Sequence, residues 1–168
     1  MAVNARRNGR SAEGALLDET NLRLLAELQA DGRLSLAELG RRVSLSSPAV
    51  AERLRRLEDE GVITGYRADV DPRALGYTLG VLIRSRPAPR QLAAVAQLAR
   101  DTPEIVECHR VTGDDCYVMT AWVRDVTHLE EVIDAFASYG QTTTSIMQSS
   151  PVPRRAVAPV RREQGVSV

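Results

Sequence analysis

The chain has 168 residues, of which 43% are hydrophobic and 26% charged, a balance typical of one globular domain or two small ones. Basic and acidic residues number 22 each, which excludes a globally basic nucleic-acid-binding protein, so any DNA-binding surface must be a local patch. No apolar run approaches the roughly 20 residues that span a bilayer, and Met1–Arg10 lacks the apolar segment of a secretory signal, which predicts a cytoplasmic protein.

The first helix is predicted to follow a polar, aperiodic stretch, residues 1–15, which we interpret as a flexible arm. Leu22, Leu25 and Leu28 recur at helical spacing on one face, and an Asp-Gly pair at 31–32 ends the run. This pattern predicts an amphipathic helix that begins near residue 18.

A second, short helix is predicted to begin at Ser35. Ser35 can act as the N-cap, and Glu38 can reach back to the amide of the cap residue, as in a capping box. Leu36, Leu39 and Val43 are predicted to line its buried face.

A third helix is predicted to begin at Ser47-Pro48, because serine is a favoured cap and proline is tolerated in the first turn. Three apolar residues form its predicted buried stripe, Val50, Leu54 and Leu57. Gly61 ends the helix. Residues 62–67 then predict a short hairpin or wing, and residues 67–77 an extended linker, which gives a first domain over residues 16–66.

The second half of the chain, residues 78–150, predicts a β-α-β-β-α-β order, the ferredoxin-like arrangement. The predicted strands cover residues 78–85, 105–112, 116–123 and 142–149, and the predicted helices cover 90–100 and 127–139. Thr127 and Glu130 are expected to form a second capping box. The strands are apolar on both faces in places, which indicates self-association through the sheet. Residues 151–168 predict a mobile tail.

The second and third helices, joined by a turn near residue 45, fit a helix-turn-helix, in which the later helix enters the major groove of DNA. Arg55 and Arg56 have acidic residues three or four positions away, whereas Arg53 has none. Arg53 is therefore ranked first among the predicted DNA contacts of the helix, and Arg56 second. The predicted DNA-binding residues are Ser46, Ser47, Pro48, Ala49, Glu52, Arg53 and Arg56. The alternative is an ordinary surface helix with intrahelical ion pairs.

Four segments of the chain carry a resemblance to a known family. LDETNLRLLAELQADGRLSLAELGRRVSLSSPAVAERLRRLEDEGVITGY, followed by DPRALGY, resembles the N-terminal half of Lrp/AsnC (leucine-responsive/asparagine-responsive) regulators. IVECHRVTGDDCYVM and TTTSIMQSSPVPRR are similar to the effector-sensing domain of the same family. The resemblance covers residues 17–155. It implies an α+β chain with an N-terminal winged helix-turn-helix domain and a C-terminal ferredoxin-like sensing and dimerisation domain.

The resemblance also implies a function. Members of the family regulate transcription, bind double-stranded DNA, form homodimers and assemblies such as octamers, and many bind an amino acid between dimers. The matching effector-binding positions are Gly113, Asp114, Asp115, Cys116, Tyr117, Thr142, Thr143, Thr144 and Ser145. An aspartate can bind an ammonium group and threonine hydroxyls a carboxylate. The chain departs from the family at Cys116, where many members carry an acidic residue. A nucleoid-associated, cytoplasmic regulator without a metal or other cofactor is therefore expected.

Other functional classes have weaker support in the sequence. The residues Cys108, His109, Cys116 and His128 fit no common zinc spacing, and no glycine-rich phosphate loop is present, so the sequence predicts neither a metal site nor an enzyme. Two alternatives stay open: an architectural DNA-binding protein without an effector, and a ferredoxin-like module that binds a small molecule.

Overall fold

The computed structural model describes residues 16–158, and its described residues form two compact units. Residues 16–68 and 154–158 belong to the first unit, and Asp69–Pro153 form the second. The predicted arm, residues 1–15, and residues 159–168 of the predicted tail lie outside the described residues.

Three helices build the first unit: α1 (Glu19–Ala30), α2 (Leu36–Val43) and α3 (Ser47–Asp59). Each helix has a side-chain N-cap, formed by Asp18, Ser35 and Ser46 respectively. The predicted cap of α2 is therefore confirmed, but the cap of α3 lies at Ser46, one residue before the predicted start. Such caps satisfy backbone amides that have no partner within the helix.

The core of this unit is a leucine and valine cluster to which all three helices contribute. Val50, Leu54 and Leu57 of α3 are buried, as predicted. On α1 the fully buried leucine is Leu24, which the leucine pattern had not selected. Leu36, which was predicted to line the buried face of α2, is 41% exposed, because it is the first residue of the helix.

The turn between α2 and α3 is tight and depends on two backbone features. Ser44 ends α2 in the left-handed region, with φ 61°, and the amide of Leu45 donates to the carbonyl of Gly40 at 2.8 Å. A Cβ atom at Gly40 would collide with the carbonyl oxygen of Leu45. Close approach of the two helices therefore requires glycine at this position.

The segment after α3 contains no strand in residues 61–71, all of which are described, so of the predicted hairpin or wing at 62–67 the hairpin is not formed. The amides of Val62 and Ile63 both donate to the carbonyl of Leu57, which folds the segment back onto the end of α3. The Tyr66 hydroxyl donates to Glu58 at 2.8 Å. Burial and this carboxylate together raise the pKa of Tyr66 to about 12.

The second unit has the predicted β-α-β-β-α-β order. Its elements are β1 (Leu79–Pro87), α4 (Leu92–Asp101), β2 (Ile105–Arg110), β3 (Tyr117–Val123), α5 (Val126–Ala137) and β4 (Gly140–Ile146). The four strands form one antiparallel sheet in the order β2-β3-β1-β4, which confirms the ferredoxin-like fold. A bulge at Val106 interrupts the register of the edge strand β2.

The sheet has two different faces. One packs against α4 and α5 around a core that includes Val81, Ile83, Met119 and Phe136. The other, which we term the open face, comprises the alternate residues of the two central strands, namely Leu82, Arg84 and Arg86 with Val118, Thr120 and Trp122. Leu82 is 40% exposed there.

The N-cap of α5 differs from the prediction. Asp125 caps the helix, and its carboxylate accepts from the amide of His128 at 2.8 Å. Thr127 lies inside the first turn, so the predicted Thr127–Glu130 capping box is wrong. An aspartate two residues earlier fills the same role.

Candidate DNA-binding surface and effector region

The seven predicted DNA-binding residues all lie at the N-cap of α3 or within the helix. Ser46, Pro48, Glu52 and Arg56 are exposed. Ser47, Ala49 and Arg53 are half-buried. No acidic residue occupies the first turn, so the free amides and positive dipole end of α3 face solvent without a competing carboxylate.

Arg53 is not unpaired, in contrast to the premise on which it was ranked first. Its Nη1 donates to Asp18 Oδ2 at 2.7 Å and to Asn21 Oδ1 at 2.9 Å, and its side chain is 32% exposed. Both acceptors belong to the start of α1. A search for acidic residues three or four positions away could not find them, because Asp18 lies 35 residues earlier.

Asp18 and Asn21 form a small network around this arginine. Asp18 Oδ1 accepts from the Asn21 amide at 2.7 Å, and Asn21 Nδ2 donates to the carbonyl of Leu16 at 2.6 Å in the buried interior. Burial raises the pKa of Asp18, but the Arg53 hydrogen bond, the backbone amides and the arginine charge outweigh it, so the pKa is lowered overall. Asp18 therefore keeps its negative charge beside Arg53.

The two remaining arginines of α3 behave differently from each other. Arg55 pairs with Glu52 at 2.8 Å and with Asp59 at 3.2 Å, as predicted. The expected pair of Arg56 with Glu52 does not form, since the Glu52 carboxylate binds Arg55 instead, and the expected pair with Glu60 is not formed either. Within residues 16–158, the Arg56 side chain makes no hydrogen bond or ion pair, and the residue is exposed. It is thus the unpaired guanidinium of α3.

Two arginines of α2 are also neutralised by carboxylates. Glu38 accepts from Arg41 at 2.6 Å and from Arg42 at 2.8 Å, and Arg42 reaches across to Glu27 of α1 at 2.7 Å. Hydrogen bonds from Arg41 and Arg42 lower the pKa of Glu38 to about 2. Glu38 consequently does not close the predicted capping box, although its amide does donate to Ser35 Oγ at 3.1 Å.

The predicted effector-binding residues lie in the loop after β2, at the start of β3 and on β4. Gly113 has φ 105°, a conformation that favours glycine, and Arg86 Nε donates to the carbonyl of Asp114 at 2.6 Å. Tyr117 and Thr142 are both register partners of Ser85 on β1. The structure thus brings the loop end and the start of β4 to the same end of the sheet.

The same residues divide between the two faces of the sheet. Tyr117, Thr142 and Thr144 pair with residues of β1 that face the helices, and the buried Tyr117 hydroxyl donates to the Leu92 carbonyl at 3.0 Å. Thr143 and Ser145 pair with Arg84 and Leu82 of the open face. A ligand that approaches one face of this chain therefore contacts only part of the predicted set.

Ser85 is a residue at this end of the sheet that the sequence pattern did not single out. Its side chain is fully buried, and its hydroxyl has no hydrogen-bond partner in the described part of the chain. The backbone carbonyl of Ser85 accepts from the amide of Cys116 at 3.1 Å. Ser85 could have been found from the sequence as a serine at an inward-facing position of an otherwise apolar strand.

Residues considered for metal binding or thiol chemistry are placed apart from one another. Cys108 is exposed on β2, where partial burial raises the pKa of its thiol although Arg100 opposes this shift. His128 Nε2 lies 3.0 Å from Glu104 Oε1, and its Nδ1 accepts from Arg124. This histidine therefore links α5 to the segments before β2 and after β3. Among residues 16–158 no group of three or more His, Cys, Asp or Glu side chains has metal-binding geometry.

No helix in that range has the length and apolarity to cross a bilayer.

Comparisons with known proteins agree with this two-unit architecture. The family described as winged helix-turn-helix DNA-binding matches residues 17–64, and the Lrp/AsnC ligand binding domain matches residues 78–157. The HTH-type transcriptional regulator YezC of Bacillus subtilis is 40% identical over 134 residues, which cover 80% of this chain and 95% of YezC.

Solved structures give the same result. The structure of B. subtilis LrpC aligns with a TM-score of 0.78 at 31% identity over 82% of this chain and 99% of LrpC. The feast or famine regulatory protein of Mycobacterium tuberculosis, complexed with L-methionine, aligns with a TM-score of 0.77 at 32% identity over 85% of this chain and 99% of its own. The resemblance noted in the sequence is confirmed: the chain belongs to the Lrp/AsnC family of transcriptional regulators.

Proposed function

We propose that this chain is a sequence-specific, DNA-binding transcriptional regulator in which α3 is the recognition helix. The observation that carries the proposal is the exposed side of α3, where Pro48, Glu52 and the unpaired Arg56 follow an amide-rich N-terminus. In a helix-turn-helix the N-terminal part of such a helix enters the major groove. The chain acts in the cytoplasm, on nucleoid DNA, as a regulator and not as an enzyme.

The residues of α3 divide into three roles in this proposal. Ser46 and Ser47 present the helix N-terminus to a phosphate. Pro48, Ala49 and Glu52 face base edges. Arg56 neutralises a phosphate, since its guanidinium is exposed and already free of carboxylates.

The proposal is tested by comparing Arg56→Ala with Arg55→Ala in binding to a DNA duplex that the wild-type chain selects from a random pool. Loss of one phosphate contact should weaken binding and reduce the slope of log affinity against log salt by about 1. Arg55, which is held by Glu52 and Asp59, provides the matched control and should change the slope less. Equal effects of the two variants would refute the role of Arg56, and failure of the wild-type chain to bind DNA would refute the function.

We further propose that the second unit binds an amino acid at the end of the sheet that carries Gly113, Asp115 and Thr142. Support comes from the match to a ligand-binding domain and from the L-methionine complexes of the M. tuberculosis protein and of a Neisseria meningitidis regulator. Because the candidate residues occupy two faces of the sheet, a second copy of the chain would complete the site.

A screen of the twenty amino acids by melting temperature and by mass in solution tests this effector. One or a few amino acids should raise the melting temperature or change the mass, since a ligand that binds the folded state stabilises it. Asp115→Ala should abolish this response while the melting temperature without ligand stays the same. If no amino acid has an effect, the chain is instead an effector-independent, architectural DNA-binding protein.

Self-association through the open face is the third part of the proposal. Exposed Leu82, beside Val118 and Trp122, forms an apolar centre that a second copy can cover. A homodimer, alone or within a larger assembly, would present two α3 helices to half-sites about 34–36 Å apart, or a multiple of that distance.

A further inference from the structure

The contact between Arg53 and the start of α1 has a geometry that suggests a role beyond stabilising the fold. Only Nη1 of Arg53 is used, for Asp18 at 2.7 Å and for Asn21 at 2.9 Å. In the described residues no other hydrogen bond reaches the guanidinium of Arg53, so its Nε and Nη2 donors remain free, and 32% of the side chain is exposed. These two donors form the edge of a guanidinium that binds acceptor pairs in a bidentate manner.

The two acceptors hold this edge in a fixed direction. Asn21 is buried and is itself fixed by its bond to the Leu16 carbonyl. Asp18 is fixed as the N-cap of α1, with one oxygen on the Asn21 amide and the other on Arg53. An arginine held by two rigid partners loses less conformational entropy when it meets a ligand.

Arg53 also lies where DNA is expected. It follows Ala49 by one turn and precedes Arg56 by less than one turn, so the three residues share one side of α3. A paired arginine is a poor counterion for phosphate, because Asp18 already neutralises its charge. A bidentate contact with the two acceptors of a guanine, O6 and N7, depends instead on orientation and yields sequence discrimination.

We propose that Asp18 and Asn21 are positioning residues that orient the Nε–Nη2 edge of Arg53 toward a base with two adjacent acceptors. Asp18 thereby sets the sequence specificity of the protein without touching DNA. This inference rests on the proposed function of α3 as the recognition helix.

Asp18→Asn is the informative variant, because asparagine is an equally favoured N-cap but has only one side-chain oxygen. That oxygen can accept from the Asn21 amide or from Arg53, whereas both bonds exist in the wild type. The cap is thus retained, while Arg53 loses one of its two acceptors and keeps only its bond to Asn21.

Glu27→Gln is a matched control. Glu27 also lies on α1, pairs with an arginine of another helix at 2.7 Å, and has an exposure close to that of Asp18. Both variants remove one negative charge, so their effect on sequence-independent attraction to DNA should be alike.

The measurement is the ratio of affinities for the selected duplex and for poly(dI-dC), well below the melting temperature of each variant. Asp18→Asn should lower this ratio about tenfold, the usual range for a bidentate base contact, while Glu27→Gln leaves it near the wild-type value. Arg53→Lys, which keeps the charge and loses the fork, should lower the ratio as Asp18→Asn does.

The outcomes separate this inference from the function on which it rests. If Asp18→Asn lowers the melting temperature but keeps the wild-type ratio, Asp18 is only a structural tie and the inference is wrong. A rise in affinity for both DNAs would show that Asp18 restrains Arg53, which also overturns it. A wild-type chain that binds neither DNA would overturn the proposed function itself.

Discussion

At the scale of single residues, the buried hydroxyl of Ser85 is a local weakness in the second unit. It lies between Tyr117 and Thr142 in the register of the sheet, yet no described group bonds to it. A buried polar group without a partner costs free energy, because its hydrogen bonds to water are lost on folding.

Ser85→Ala should therefore raise the free energy of unfolding of the second unit by about 1 kcal/mol. Denaturant unfolding, followed by the fluorescence of Trp122, measures the change. Ser138→Ala removes an exposed hydroxyl from the end of α5 and should stay within about 0.5 kcal/mol of the wild type. A lower stability of Ser85→Ala would indicate that the hydroxyl is bonded in solution.

Single residues also show where reasoning from the sequence ends. The cap Ser35 and the stripe of Val50, Leu54 and Leu57 could be predicted, since each depends on neighbours within a few positions. The pairing of Arg53 could not, because its partner comes from another helix and only the tertiary fold brings them together. The predicted ion pair between Arg56 and Glu52 did not form because Arg55 can bind the same carboxylate. Sequence spacing alone does not decide which of the two arginines binds it.

At the scale of elements, the turn between α2 and α3 fixes the position of α3, the proposed recognition helix. Gly40 permits the carbonyl of Leu45 to approach the axis of α2, and Ser44 reverses the chain in a left-handed conformation. Alanine is a better helix former than glycine by about 1 kcal/mol, so propensity alone favours replacement of Gly40.

Gly40→Ala should nevertheless destabilise the first unit by about 2 kcal/mol, because its Cβ meets backbone that cannot move without shifting α3. Gly32→Ala is the control, since its Cβ would have only an ordinary contact of 3.8 Å with the Leu28 carbonyl. Urea unfolding monitored by circular dichroism compares the two variants. A stable Gly40→Ala chain would mean that the turn relaxes more easily than this geometry implies.

Elements were predicted better in type and order than in detail. Hydrophobic periodicity and turn residues were sufficient for the three helices and for the β-α-β-β-α-β order. The hairpin after α3 did not form because Val62 and Ile63, although β-branched, donate their amides to the Leu57 carbonyl, and Ile63 also packs against the helical core. Among the effector residues matched from the family, the loop residues and Thr142 share one end of the sheet, whereas Thr144 and Ser145 lie further along β4, and alternation along this strand places its residues on two faces.

At the scale of the whole molecule, DNA binding is expected to depend on assembly. Of the five arginines of α2 and α3, Arg41, Arg42, Arg53 and Arg55 are paired with carboxylates, so these two helices of one copy offer a single unpaired guanidinium, that of Arg56, to the phosphate backbone. Two linked copies raise the effective concentration of the second recognition helix at its half-site. Loss of the dimer should thus weaken binding more than loss of any one contact.

Leu82→Asp should convert the protein to monomers and weaken binding to a duplex that contains two half-sites by at least about a hundredfold. A buried aspartate without a partner is costly at such an interface. Light scattering coupled to size-exclusion chromatography gives the mass, with Val126→Asp on α5 as the control for an exposed valine outside the open face. A Leu82→Asp chain that keeps the wild-type mass would exclude the open face as the interface.

The bulge at Val106 limits how such copies can join. A regular edge strand offers unpaired amides and carbonyls to any other strand, and pairing of β2 with β4 of another copy would be heterologous and open-ended. The extra residue breaks that ladder, which leaves the face of the sheet as the better surface for contact. Contact between two identical faces is self-complementary about a twofold axis, so growth through this contact stops at a closed pair and fibre formation is disfavoured.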